Sequence, residues 1–323
     1  ANTTGNFNVA CGQAALGANT TGSQNVAVGQ AALRNNTTAS NNIGIGISAL
    51  DANTTGASNT AVGAFSLKSV TTGQQNSALG RGALSDNTGS SNTAVGYNAL
   101  TSNTTASNNT AVGHQSLLVN TTGAGNTGIG QNALATNTTA SNNTSVGFKS
   151  LEANSTGADN SAFGKGALSS NTTGADNNAL GVNALLANTT GVSNVAVGRS
   201  ALATNTTADN NTAVGHHALL DNTTGTMNVA LGTFGLTSNT TGDLNVGIGM
   251  EALKANTTAD SNVAVGAFAL IANTTGANNN AIGRFALGSN TTASNNTGLG
   301  HNALGANTTG TQNVAVGAFA LDA

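Results

Sequence analysis

The sequence predicts an all-β fold, a parallel β-solenoid (β-roll) of nineteen coils with about 17 residues in each, and three observations predict it. Asn-Thr-Thr begins at Asn2, Asn19, Asn36 and Asn53 and returns every 17 residues as far as Asn307, so nineteen copies fill the 323 residues. A unit of that length cannot hold a strand, a helix and two connections, which take about 30 residues, nor a helix pair, which takes about 34. It does match one turn of a solenoid, in which each copy lies on its predecessor at about 4.8 Å. The third observation is compositional: only 6% of residues are charged and 3% aromatic, with no Pro and no Trp, unlike a globular domain. No stretch departs from the pattern, so residues 1–323 read as a single repetitive domain, a segment of a longer fibre.

Counting the leading Asn as position 0, the unit reads N-T-T-[GA]-x-x-N-x-[AG]-[VIL]-G-x-x-[AS]-L-x-x. The opening N-T-T-G-x-x-N is corner chemistry, because Asn, Thr and Gly accept tight turns and bond their own backbone. The strand is expected next, over Asn25 to Gly29 (NVAVG), where small and β-branched residues precede a breaker. A second short extended piece is expected through Ala31 to Leu33. The register slips once, at the copy around Asn87, which reads NTG and is one residue short, and Val70 replaces one leading Asn.

Comparison among the copies shows which positions tolerate change. Position 6 (Asn8, Asn25, Asn313), position 10 (Gly12, Gly29, Gly317) and position 14 (Leu16, Leu33, Leu321) never vary. Ala replaces the Gly of position 3 in six copies, so a positive φ is expected at position 10 and not at position 3. The residue before the invariant Gly is always Val, Ile, Leu, Phe or Cys, as at Val28 and Val316. With the invariant Leu it is expected to form two inner apolar ladders, tightly layered by the small residues ahead of each. Cys11 is then a buried apolar filler. Apolar burial alone does not offset the ordering of each coil, so backbone ladders, stacked Asn amides and neighbouring chains are expected to supply the rest.

Several chemical readings fail on the same period. GIGISA at 44, GIGQNA at 128, GIGMEA at 247 and GLGHNA at 298 imitate a dinucleotide fingerprint, but no helix follows to meet a pyrophosphate, so no cofactor is expected. His114, His216 and His301 share one position in distant coils and cannot share a metal, and the His216–His217 pair falls short of the three or four ligands a metal asks for. Asp159, Asp176, Asp209, Asp243 and Asp260 sit in the variable turn as turn formers. No nucleophile, base and orienter recur together, so no enzyme is expected. The net charge of -3 and the scattered Lys and Arg argue against nucleic acid, and no apolar run is long enough to insert in a membrane. Phe268, Phe285 and Phe319 share position 12 and form a candidate interchain contact toward the C-terminal end. N-T-T also matches the N-glycosylation sequon, but Asn and Thr already have a reason to stand at a corner.

The string N-V-A-V-G-x-x-A-L, as NVAVGQAAL at 25–33 and NVAVGAFAL at 313–321, resembles the head repeats of YadA-type trimeric autotransporter adhesins. NTAVGYNALTSNTT at 92–105 is similar to the repeats of bacterial and phage tail-fibre-like proteins, a likeness that covers the whole chain. The resemblance implies a left-handed β-roll, self-association as a homotrimer or filament, and a place on a cell surface, in an extracellular filament or on a virion. It also implies a host receptor or glycan engaged through a tip outside this sequence. The coil here is longer than that of the YadA-type heads. The expected function is thus a stiff rod, on the order of 90 Å from the strand spacing, that spaces an adhesive tip. The alternative is an ice-binding solenoid with a Thr/Asn ladder, against which the adjacent Thr3 and Thr4 form no T-x-T array.

Overall fold

The structure, a computed structural model, describes residues 2–322. It is a parallel β-solenoid with about 17 residues per turn and, among the described residues, no helix. Two compact units divide the chain, Ala1–Asp159 and Asn160–Ala323. The first holds strands β1 (Val9–Cys11) to β9 (Thr144–Val146), and the second β10 (Ser161–Phe163) to β19 (Val314–Val316), each of three residues. Within each unit every strand pairs in parallel with the next. The register offset is one repeat, as in Val195↔Thr212 and Ala196↔Ala213.

Positions 7 to 9 form the strand because they carry small or β-branched residues between an Asn corner and a Gly bend. Successive side chains of a strand point to opposite faces. Position 8, Ala in fourteen copies, points inward, and Ala27, Ala61 and Ala264 are fully buried. The same alternation turns positions 7 and 9 outward, which corrects one expectation. Val28 is 36% exposed, Leu180 53% and Val316 67%, so the apolar residue before the invariant Gly lies on the surface and forms no inner ladder. Cys11 shares that position and is exposed rather than buried. The single large apolar ladder of the interior is the invariant Leu, with Leu33, Leu50, Leu185 and Leu270 fully buried. Leu321 in the last described coil is 61% exposed.

Two rows of buried Asn fill the remaining interior. At position 0, Asn36 Nδ2 donates to Asn19 Oδ1 of the preceding coil at 2.9 Å and to Ala39 O of its own coil at 3.0 Å. At position 6, Asn25 Nδ2 donates to the same Ala39 O at 2.9 Å, while Asn25 Oδ1 accepts the backbone N–H of Asn42 at 3.0 Å. The position-3 carbonyl is therefore a shared acceptor that ties both Asn rows together across two coils. Thr of position 1 adds a further rung, Thr20 Oγ1 donating to Thr37 O at 3.0 Å.

The stretch after the Gly differs from the expected extended piece. Ala31 has φ 57° and Leu33 φ 50°, and position 5 repeats the left-handed conformation, as at Gln24 with φ 61°. This run therefore makes a bent path rather than a strand, yet it still bonds its neighbours: Ala31 N–H donates to Gln13 O and Leu33 N–H to Ala49 O, both at 2.9 Å. The invariant Gly is where strand and bent run meet. Gly46 has φ 130°, and a Cβ there would stand 2.6 Å from the carbonyl carbon and oxygen of Gly63. The expected positive φ at position 10 is found, and position 3 is free of it.

Val70 interrupts the Asn row. Fully buried where an Asn stands in the other coils, it leaves Asn53 Oδ1 buried without a hydrogen-bond partner. Val70→Asn should restore the missing donor and raise stability by about 1 kcal/mol in a denaturant titration. Within GIGISA the two glycines should behave oppositely. Gly46→Ala should cost at least about 1–3 kcal/mol from backbone conformation alone. Gly44→Ala should shift stability by less than about 1 kcal/mol, since Ala is the usual occupant there and its Cβ would lie 3.2 Å from Ala49 O.

Candidate functional site: the outward strand face

Positions 7 and 9 project from one side of each unit. Position 9 is apolar in every copy, and position 7 holds Val, Ile, Thr, Ser or Asn. Neither position carries a formal charge in any of the nineteen copies. All the charged side chains stand elsewhere in the coil. The face is regular because each strand repeats its neighbour in register, as in Val95↔Val112 and Val246↔Val263. Exposure along it stays substantial: Ile45 is 38% exposed, Ile129 39% and Leu299 42%. In the second unit, Phe163, Leu180 and Val197 line a shallow apolar depression of about 370 Å³ on this face. An uncharged apolar surface repeated coil after coil exceeds the scattered exposure normal for a soluble protein, and such patches mark interaction sites.

The other expected residues fall into two groups. Asn25, Gly29 and Leu33 are structural: the Asn and Leu are buried, and the Gly makes the bend. Asn8, Gly12 and Leu16 repeat them in the first coil, and Asn313 and Gly317 in the last. Phe268, Phe285 and Phe319 lie on a different side of the coil from the strand face. Phe268 and Phe285 stack at 4.8 Å between centroids, and Phe319 meets His301 edge-on at 5.0 Å. The structure thus does not bring them together with Val28 or Val316 on one surface.

Three acids of the turn, Asp209, Asp243 and Asp260, have a backbone partner. Asp209 Oδ1 accepts Val192 N–H at 2.7 Å and Asp243 Oδ1 accepts Thr226 N–H at 2.6 Å, each capping the coil before it. Ser40 Oγ does the same for Ser23 N–H. The sequon Asn side chains of the interior coils are fully buried with both amide hydrogens donated, so a folded coil offers no free Nδ2 to a glycan. The Thr pair is split: the first hydroxyl bonds the next coil, as at Thr20, and the second is exposed. Among the described residues no three His, Cys, Asp or Glu gather as a metal site.

The outward rank was missed in the sequence for want of one comparison. Uniform lack of charge at positions 7 and 9, flanking an always-small position 8, marks an outward uncharged pair, apolar throughout at position 9, around an inward residue. No protein-family model and no curated protein matches this chain.

His216 and His217 stack at 3.9 Å, and both meet Phe234 at 5.5 Å. Burial pulls the His217 imidazole below the ordinary histidine range, and the charges of His216 and Arg199 add to the shift against Asp221. A histidine depressed in the fold takes up its proton later than in the unfolded chain, so stability declines as pH falls below the ordinary range of about 6.5. An NMR titration should find His217 below that range, and His217→Gln should flatten the acid side of the stability profile.

Proposed function

We propose that the chain is a non-enzymatic structural segment of an extracellular fibre, of the surface-adhesin, filament or tail-fibre kind, whose copies associate through their outward strand faces as a homotrimer. The observation that carries this reading is the uncharged face formed by positions 7 and 9, apolar in every copy at position 9. Leaving such a surface in water is unfavourable by roughly 25 cal/mol for each Å² of apolar area, and a second copy presents the same repeat spacing and the same lack of charge. One coil offers about 50 Å², taking a 4.8 Å rise and a side-chain strip about 10 Å wide. Roughly sixteen coils are then needed for the ~800 Å² that a stable interface covers on each partner. The nineteen copies together offer about 950 Å², which the two neighbours of each chain in a trimer divide, so the contact draws on all the coils and a short array would not hold. The interior supports a structural role as well, since each coil spends its polar groups on its neighbours.

Sedimentation equilibrium tests the reading. The protein is expected at three times its 31.1 kDa chain mass, and Val112→Asp combined with Val265→Asp should release monomers that keep the native circular dichroism spectrum. Thr122→Asp with Thr275→Asp, on the exposed corner, should leave the assembly intact. A wild-type protein that is monomeric at micromolar concentration would overturn the proposal.

A further inference from the structure

A second surface, on the side of the coil formed by positions 11, 12 and 15, carries chemistry that the strand face lacks. In the first unit, Phe65, Lys68, Arg81, Ser85 and Thr101 line a depression of about 300 Å³. Its floor is Gly82. Position 12 carries a side chain in most copies, among them Phe65 and Asn98 on either side; Gly82 has none, and the Asn98 amide, which also lines the depression, reaches over it with its Oδ1 in the space a Gly82 Cβ would take. The Arg81 guanidinium lies 6.0 Å from the Phe65 ring centroid and 5.7 Å from that of Tyr97, and its Nη1 donates to Tyr97 Oη at 3.2 Å. Lys68 Nζ stands 5.7 Å from the Phe65 centroid.

Two features set this notch apart from the rest of the array. Among the described residues, Lys68 and Arg81 enter no ion pair, which they share with Lys165, Arg199 and Arg284, but these two also meet at one depression. Two cations converge on one cavity with no carboxylate in its lining. The sequence irregularities of the chain also fall in these coils: Val70 replaces an Asn, and the turn from Ser77 to Thr93 is one residue short. Elsewhere the period is kept, so the departures gather where the unusual side chains are.

We infer that this notch binds a single acidic sugar, a pyranose bearing a carboxylate. The carboxylate meets Arg81 and Lys68, a charge-assisted pairing for which the planar guanidinium is suited. The apolar face of the sugar ring lies against Phe65, and the Ser85 and Thr101 hydroxyl oxygens, the latter donating its own hydrogen to Gly82 O at 3.1 Å, lie within the same cavity to accept from ring hydroxyls. The volume sits at the lower end of small-ligand pockets, about 300 Å³, which suits one sugar and is too small for a nucleotide. Because positions 11, 12 and 15 lie away from positions 7 and 9, the site stays open in an assembly built on strand faces, and it stands or falls independently of that assembly.

Saturation-transfer NMR on the intact chain tests it, with methyl β-glucuronide and methyl β-glucoside as probes that differ in the carboxylate. The glucuronide is expected to bind at least about tenfold more tightly than the glucoside, in line with a hydrogen bond to a charged group. Its binding should weaken as salt is raised. Arg81→Ala should weaken it by a similar factor. Gly82→Asn, which places a residue native to this position in other coils and compatible with the left-handed backbone, should fill the notch and abolish binding. Equal binding of both glycosides, binding unchanged in both variants, or no transfer at millimolar ligand would each overturn the assignment. Competition by acetate as strong as by the glucuronide would overturn the sugar itself.

Discussion

The structure depends on the buried asparagine rows. Each interior coil but that of Val70 carries two carboxamides in these rows that are wholly removed from water, and a buried amide left unpaired costs about 1–3 kcal/mol. No coil can satisfy them alone, because the Oδ1 of position 0 waits for the Nδ2 of the next coil and the Oδ1 of position 6 waits for the next backbone N–H. Asp would lack the donor, Gln would overreach the 17-residue spacing, and Ser could not both donate to the position-3 carbonyl and accept from the next coil at these distances. Position 6 therefore admits only Asn in all nineteen copies. The coil is a unit of sequence but not of stability, and adding coils adds satisfied interfaces as in other solenoids.

The period, the parallel pairing, the strand at positions 7 to 9 and the glycine bend were legible because each rests on backbone rules that repetition amplifies. The side chosen by Val28 was not. Reading it as core followed from its hydrophobicity, whereas its direction is set by parity: Ala27 is buried and its strand neighbours must face out. Hydrophobicity and parity usually agree in a strand with one wet face, and they part here because the outward face is itself apolar. The notch at Gly82 was equally hidden, since Lys68, Arg81 and Tyr97 are 13 and 16 residues apart in sequence and meet only through the stacking of coils.

The left-handed residues were illegible for a different reason. Three non-glycine positions per coil have φ near 50–60°, including the invariant Leu, a conformation that disfavours β-carbon-bearing residues by roughly 1–2 kcal/mol. Propensity alone would place Gly or Asn at all three, and Asn does recur at positions 5 and 12, as at Asn41, Asn108 and Asn132. Leu at position 14 is held there by what lies around it: its side chain is fully buried and its N–H bonds the carbonyl of the next coil. Strain of this kind persists where the surroundings over-determine the geometry, and a repeated interior does so at every coil.

Repetition then separates what the array needs from what it can vary. Positions 0, 3, 6, 8, 10 and 14 are consumed by ladders, so they stay nearly uniform, and a single lapse such as Val70 costs only its nearest neighbours. Positions 5, 11, 12 and 15 are not consumed, and there the charged, aromatic and histidine side chains collect. The strand face belongs to neither class: its position 9 plays no part in the interior, yet it never accepts a charge. Part of that uniformity serves the strand, which favours β-branched residues, and the exclusion of charge from every copy is what supports the proposed partner surface. A ligand that needs one coil leaves the opposite trace, a local departure from the repeat, and the coils around Gly82 carry it.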